Sequence, residues 1–496
     1  MKTEADLEAL VRGVVSAVVG SGVVPRGDAL PAADAQVRSP ASPLAAAAEA
    51  PTGPGEMRVA ATGRNGLFAT IDDAVAAARA SQRTFGAQPL ERRKAYIDAM
   101  RAAGVANAER LARSAFEETG LGRFRDKVEK NVFAAQRSAG VEDLAANAFA
   151  GDFGFAIEDW LPWGVVASIT PINSPSAFII NHGITMLAGG NAVVFNNHPG
   201  CWNTSMATVE LLNRAVVEAG GPDNLMTGVV EPSLETAKAL VAHRDVDMLV
   251  ITGGAALIKD AFATRKRVIA AGPGNPTAVV DETADPARAA REIFKGCSFE
   301  NTILCIGEKT CVVTEAAAPD LLSAFDGLPV RRLDTREAEL VFRAVIDTSG
   351  HHPVTRREFV GKDAEVLLEA ADLSAPKPVG MLLAEVDRDH PLVRMEQFLP
   401  LMPMVRARDA NDMIELGLEV EGRNHHTVMI HSNRPATVER FAREADCVVC
   451  VVNGSSLRGL GVEGEGYPGF TIGTVTGEGI TAPRHYVRAR RVSHTR

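Results

Sequence analysis

The chain predicts an α/β protein of two units, each a mostly parallel sheet with helices on both faces. Three observations lead there. Its 496 residues exceed what one core fills, because single cores rarely grow past about 250 to 300 residues, so two or three domains are expected. Short apolar runs rich in β-branched residues alternate along the sequence with longer stretches of helical period. Those runs lack the apolar/polar alternation of a half-solvated sheet, which marks strands buried on both faces.

The elements follow in order. Residues 6–19 place Leu7, Leu10, Val11, Val14, Val15 and Val18 at helical spacing and leave Glu8, Arg12 and Ser16 on the other side, so 1–20 reads as a short amphipathic helix. Glu4 and Asp6 near its start, with a periodic rather than continuous apolar pattern, set it apart from a secretory signal. Residues 21–55 are rich in Ala, Pro and Gly and poor in large apolar residues, which predicts a flexible tether. A packed helix rarely needs so long a structureless connector. The helix is therefore expected to dock in a partner's groove, the alternative being that it folds back on its own body or on a neighbouring subunit. Residues 71–82, 91–103 and 106–119 read as helices from periodicity and high alanine. Buried strands are expected at 165–169, 191–195, 248–252 and 277–280, separated by helices such as 204–219 and 234–242. A second α/β unit runs from about 292 to 452.

Bulk properties exclude several classes. A net charge of -10 without a basic block disfavours nucleic acid as a partner. No apolar run approaches the roughly 20 residues of a membrane span. The eleven histidines include the pairs His351-His352 and His425-His426, but no HExxH or Cys/His ladder, so no metal site is expected. The six cysteines show no paired framework, which fits a reducing compartment.

Those cysteines separate by context. Cys311 lies in Thr310-Cys311-Val312-Val313, and Cys447 and Cys450 in a β-branched run to Val452, so all three read as strand interior. Cys447-Val448-Val449-Cys450 spells CxxC, yet residues three apart on a strand face opposite ways, which argues against a redox pair or zinc half-site. Cys201 has no partner motif. Cys297 and Cys305 remain, and periodicity does not choose between them. A thiol nucleophile at either suits attack on a carbonyl carbon. Asp247-Met248-Leu249-Val250-Ile251-Thr252-Gly253-Gly254 runs from a buried strand through a glycine pair into a helix over 255–264. A helix start after a close-approach glycine is a natural seat for cofactor phosphates, although neither GxGxxG nor GxxxxGK[ST] is present. Gly272-Pro273-Gly274-Asn275-Pro276 is a second loop that lets a ligand come close to backbone.

From about residue 56 onward the chain resembles the aldehyde dehydrogenase superfamily and, within it, the CoA-acylating aldehyde dehydrogenases of bacterial microcompartments. Ser298-Phe299-Glu300-Asn301 followed by Cys305-Ile306-Gly307-Glu308-Lys309 matches that group's nucleophile segment, which implies that Cys305 is the nucleophile and Cys297 packing. Thr170-Pro171-Ile172-Asn173-Ser174-Pro175 resembles the segment carrying the oxyanion donor, here Asn173; one such donor is typically worth about 3 kcal/mol. The resemblance places cofactor at Thr170, Pro171, Ile172, Thr252, Gly253, Gly254, Gly272, Pro273 and Gly274. Glu396-Gln397-Phe398-Leu399-Pro400 is similar to Glu-x-Phe-Gly-Pro, whose glutamate holds the nicotinamide ribose; this implies roles for Glu396 and Phe398, with Leu399 departing from the usual glycine. His426-Thr427 resembles a His-Thr pair that lines the active site, and 464–472 and 476–481 resemble the group's closing signature.

The hydrolytic members carry Glu-Leu-Gly-Gly-Lys, whose glutamate activates water, and Ala271 stands in that place here. The acyl-enzyme is then expected to wait for CoA, a better nucleophile than unassisted water. The implied reaction is oxidation of a short-chain aldehyde to acyl-CoA through a cysteine thiohemiacetal and thioester. NAD is the expected nicotinamide, with NADP left open because Asn196-Asn197-His198 offers neither an acid for a ribose hydroxyl nor an arginine for a phosphate. A hydrolytic aldehyde dehydrogenase and a non-catalytic microcompartment scaffold are the alternatives. Residues 1–20 resemble encapsulation peptides, which implies shell or cargo proteins as partners and a cytoplasmic location inside a bacterial microcompartment. Segments 153–160 and 485–492 resemble the superfamily's oligomerisation arm, implying a homodimer or homotetramer. The expected division is helix 1–20, linker 21–55, nucleotide-binding domain 56–291 with its arm segment at 150–162, catalytic domain 292–455, and C-terminal loop and arm strand 456–496.

Overall fold

The computed structural model describes residues 59–375 and 377–495; the expected helix over 1–20 and tether over 21–55 lie outside them. In chain order the strands are β1 (Leu67–Phe68), β2 (Asn147–Gly151), β3 (Gly154–Pro162), β4 (Val165–Ile169), β5 (Ala192–Asn196), β6 (Met226–Val229), β7 (Met248–Thr252) and β8 (Arg267–Ala271). Then come β9 (Thr277–Val280), β10 (Thr310–Thr314), β11 (Val330–Leu333), the hairpin β12 (Ile346–Asp347) and β13 (Val354–Thr355), β14 (Met381–Glu385) and β15 (Leu401–Ala407). Last are β16 (Thr427–His431), β17 (Val449–Val452), the hairpin β18 (Ile472–Gly473) and β19 (Gly479–Ile480), and β20 (Val487–Thr495).

Two parallel sheets organise the molecule, in the orders β1-β6-β5-β4-β7-β8 and β11-β14-β15-β10-β9-β16-β17. The predicted α/β class with helix-covered parallel sheets holds. Val165 to Ile169 and Thr310 to Thr314 are buried along their whole length, as strands covered on both faces must be. Helix Ile71–Phe85 starts on Thr70, whose side chain accepts from Asp73 N, and turns Ala74, Val75 and Ala78 to the first sheet. Helix Leu234–Ala242 lies on the predicted residues and opens with a Ser233/Thr236 capping box. A third, antiparallel sheet β2-β3-β20 stands apart as an arm, with Arg490 paired to Asp159 and Arg491 to Glu158 across β20 and β3. No helix among the described residues is long and apolar enough to cross a membrane.

Three readings change. Thr277–Val280, expected inside the first unit, pairs with β10 and β16 in the second sheet, so the chain passes between sheets at 272–276 rather than near 291. A lone apolar run carries no mark of which sheet it joins. Cys447 precedes β17 and is half-buried, and Cys450 is exposed because β17 is an edge strand; neither is the sealed strand interior expected of them. Helix Pro175–Ala188 was invisible to periodicity because every one of its residues is buried, leaving no polar stripe to set the phase.

Candidate active site

The two sheets meet by opposite ends. Thr170 follows β4, Gly253 follows β7 and Gly272 follows β8, all at carboxyl ends of the first sheet. Glu396, Lys309, the 272–276 loop and His426 precede β15, β10, β9 and β16, neighbouring strands of the second. Chain order scatters these residues over more than half the sequence; strand order gathers them.

Cys305 and Cys297 differ in burial. Cys297 is sealed in helix Pro286–Ser298 with no exposed surface, its thiol against Thr302 Oγ1 at 3.6 Å. Cys305 is half-buried on the turn that follows, open to a substrate. That turn is unusual: Glu300, Asn301 and Thr302 take φ of 53°, 51° and 62°, three successive non-glycine residues in the left-handed region. Burial, aided by the Glu396 carboxylate, pushes the Cys305 thiol up to about 12. The Cys305 side chain is therefore a neutral thiol at rest.

Two buried titratable groups lie close by. Burial raises Glu396 to about 7, against the pull of the Lys309 ammonium; one carboxylate oxygen takes the Gly274 N–H and Oε1 has no protein partner. His426 has no exposed surface, its Nδ1 meets Thr427 Oγ1 at 2.9 Å, and its Nε2 is unpartnered; burial lowers it to about 3, so the ring is neutral in the working range. Gly274 presses against both sides, since a Cβ there would lie 2.8 Å from the His426 ring and 3.1 Å from the Cys305 carbonyl oxygen. Ala271, buried at the end of β8, carries no base, as expected. The Glu396 carboxylate acts on the Cys305 thiol from the neighbouring strand's approach.

Asn173 is 6 % exposed and donates through Nδ2 to Ile303 O at 2.9 Å, two residues before the sulfur. Its Oδ1 has no protein partner. Lys309, wholly buried, donates to Thr302 O and Leu304 O at 3.0 and 3.1 Å and lies over the Phe398 ring. Phe398 itself is 2 % exposed and packs with Leu121, Ile172, Ile303 and Val360, so it braces the site from below. Sequence reading missed Lys309 as a functional residue, although it stands inside the motif quoted for Cys305.

The first-sheet side is built from backbone. Gly253 and Gly254 have φ of 93° and 70°, and a Cβ at Gly253 would meet nothing within 4 Å. The helix Ala255–Phe262 that follows has no side-chain cap on its first N–H groups. Open space, free donors and the unpartnered Glu396 Oε1 fit the phosphates and ribose of a dinucleotide. Thr252 Oγ1 bonds Thr471 Oγ1 at 2.7 Å and Gly272 N bonds Thr474 Oγ1 at 2.9 Å, so the C-terminal segment closes over this side. Among the described residues no group of three or more His, Cys, Asp or Glu gathers as a metal site.

A profile of the aldehyde dehydrogenase family matches residues 50–481. The chain belongs to the aldehyde dehydrogenase family. Among its relatives, the acetaldehyde dehydrogenase (acetylating) EutE of Escherichia coli strain K12 is 42% identical over 436 residues, 87% of this chain and 93% of that protein. Two solved structures superpose closely. A propionaldehyde dehydrogenase from Rhodopseudomonas palustris, with bound CoA and an acylated cysteine, gives a TM-score of 0.84 at 36% identity, over 87% of this chain and 98% of that one. A propionaldehyde dehydrogenase from the Clostridium phytofermentans fucose utilisation bacterial microcompartment gives 0.84 at 35%, again over 87% and 98%.

Proposed function

We propose that the protein is a CoA-acylating aldehyde dehydrogenase that oxidises a short-chain aldehyde, propionaldehyde-like in size, to its acyl-CoA with NAD. The observation that carries this reading is the half-buried Cys305 flanked by the Asn173 amide on one side and by Glu396 and His426 on the other. The relatives named acetylating or crystallised with CoA support the choice of acceptor.

Glu396 takes the thiol proton as Cys305 attacks the aldehyde carbon, and the Asn173 N–H steadies the oxygen of the thiohemiacetal. Thr170 to Ile172, Thr252 to Gly254 and Glu396 would hold a dinucleotide, which would supply the hydride acceptor. Loss of hydride leaves a thioester on Cys305. CoA attacks the thioester as its thiolate and releases acyl-CoA, and the neutral His426, with Nε2 unpartnered, offers a polar group beside that approach. Pro273 and its flanking glycines keep the approach clear of side chains. Water competes poorly because a thiol ionises closer to neutral pH and is the stronger nucleophile.

The arm exposes Phe149, Phe153, Phe155, Ile157 and Val492, with Phe153 91 % exposed, which supports burial against another subunit in a homodimer or homotetramer. Residues 1–20 direct the enzyme to shell or cargo proteins inside a bacterial microcompartment. Their removal is expected to leave turnover unchanged and to release the enzyme from isolated compartments.

Purified protein given propanal, CoA and NAD is expected to form propionyl-CoA and NADH in equal amounts, with slower turnover on NADP. Rapid formation of free propionate without CoA would contradict the reading.

A further inference from the structure

Beneath the turn that carries Cys305 lies buried charge that the chemistry above leaves unused. Glu300 has no exposed surface, and Lys127 and Lys130, one turn apart on helix Phe124–Arg137, are 2 % and 5 % exposed. Glu300 Oε2 receives Lys127 Nζ at 3.0 Å and Lys130 Nζ at 2.5 Å, Glu300 Oε1 receives the Arg123 N–H at 2.9 Å, and the Glu300 N–H donates to Asp126 Oδ2 at 2.7 Å. Close approach is built in: a Cβ on Gly122 would sit 2.6 Å from Glu300 Oε1.

The two lysines differ in one respect. Lys127 Nζ bonds the Glu300 carboxylate, whereas Lys130 Nζ also bonds Ser174 Oγ at 2.9 Å and Asn173 O at 3.2 Å. Lys130 thus touches the backbone of the oxyanion donor and the side chain of Glu300, the first of the three left-handed residues leading to the nucleophile. Left-handed backbone at non-glycine residues persists only where its surroundings over-determine it. Glu300 is fixed here by four donors and acceptors at once.

We infer that Lys130 is a positioning residue that ties the Asn173 loop to the strained 300–302 turn and so sets the spacing between oxyanion donor and sulfur. The inference rests on Cys305 and Asn173 carrying the chemistry. Lys127 serves charge balance alone: with either lysine removed, Glu300 keeps one cationic partner, so neither change leaves the carboxylate unpaired.

The pair supplies its own control. In the full chain, Lys130→Met and Lys127→Met remove the same charge from the same helix face. Both are expected to lower Tm by similar amounts. Misplacement of reacting groups by about an ångström costs on the order of 10²-fold. Lys130→Met should therefore slow the NADH burst with propanal by about that factor while KM for aldehyde and NAD moves less than about threefold, whereas Lys127→Met slows the burst less than about threefold. Equal burst rates in the two variants, or a wild-type burst in Lys130→Met, would overturn the inference. Should Lys130→Met fail to fold, Ser174→Ala removes one of its acceptors without a change of charge. A severalfold slower burst at unchanged Tm then supports the bridge, and an unchanged burst overturns it. Cys305→Ala run alongside separates the two levels: a burst surviving there sinks the site assignment itself, while its loss there with no effect in Lys130→Met sinks only the positioning role.

Discussion

The first sheet offers its carboxyl ends to the site and the second its amino ends, and the two edges work by different means. On the first, Thr252, Gly253 and Gly254 present backbone and open space. On the second, Lys309, Glu396 and His426 are packed side chains whose ionisation depends on one another and on burial. An edge made of backbone tolerates side-chain change as long as φ is respected. An edge made of packed, mutually perturbed groups does not. In the proposed function, recognition of a cofactor and manipulation of a proton are divided between two sheets of one chain.

Substitutions can break or sharpen that division. The largest effect belongs to Cys305→Ala, expected to lower aldehyde-dependent NADH formation by roughly 10⁴-fold or more with an unchanged circular dichroism spectrum, since no other thiol opens onto the site. Asn173→Ala is next, with kcat/KM down about 10²- to 10³-fold, the usual range for one oxyanion donor. Then the two edges are compared directly. Gly274→Ala drives a methyl into His426 and is expected to cut kcat about 10- to 100-fold, while Gly254→Ala, where a Cβ meets only Leu257 Cβ at 3.8 Å, strains backbone alone and raises KM for NAD by less than about 10-fold. Equal losses from the two, measured by steady-state kinetics, would erase the distinction between edges.

The smallest effect is a pH dependence. Glu396 titrates at about 7, raised by burial, and must be ionised to take the thiol proton. Acylation should accordingly accelerate as pH rises through about 7, and Glu396→Gln should flatten that limb in stopped-flow bursts between pH 6 and about 8. A rising limb that persists in Glu396→Gln would move the base elsewhere, with His426 poorly placed to replace it because its ring is already neutral throughout that range.

The same contrast explains what could be read from the sequence. A glycine pair after a buried strand marks backbone open to close approach, and the left-handed Gly253 and Gly254 were legible on those terms. Strands 165–169 and 248–252 and helix 234–242 fell on their residues because period and caps are local. Choosing Cys305 over Cys297 took the motif around it, since burial is decided by the fold. Lys127 and Lys130 share one helix face with a turn far along the chain, and in sequence they are indistinguishable from a solvated charged stripe. The proximity of Glu396 to Cys305 was equally hidden, as it depends on β15 and β10 being neighbours in the sheet.

One measurement reaches the central claim most directly. Protein incubated with propanal and NAD, without CoA, is digested and examined by mass spectrometry, and the acyl adduct is then followed as CoA is added. The account predicts a propionyl group on Cys305 that persists without CoA and leaves as propionyl-CoA when CoA arrives. An adduct on another residue, or one that disappears as propionate before any thiol is supplied, would contradict it.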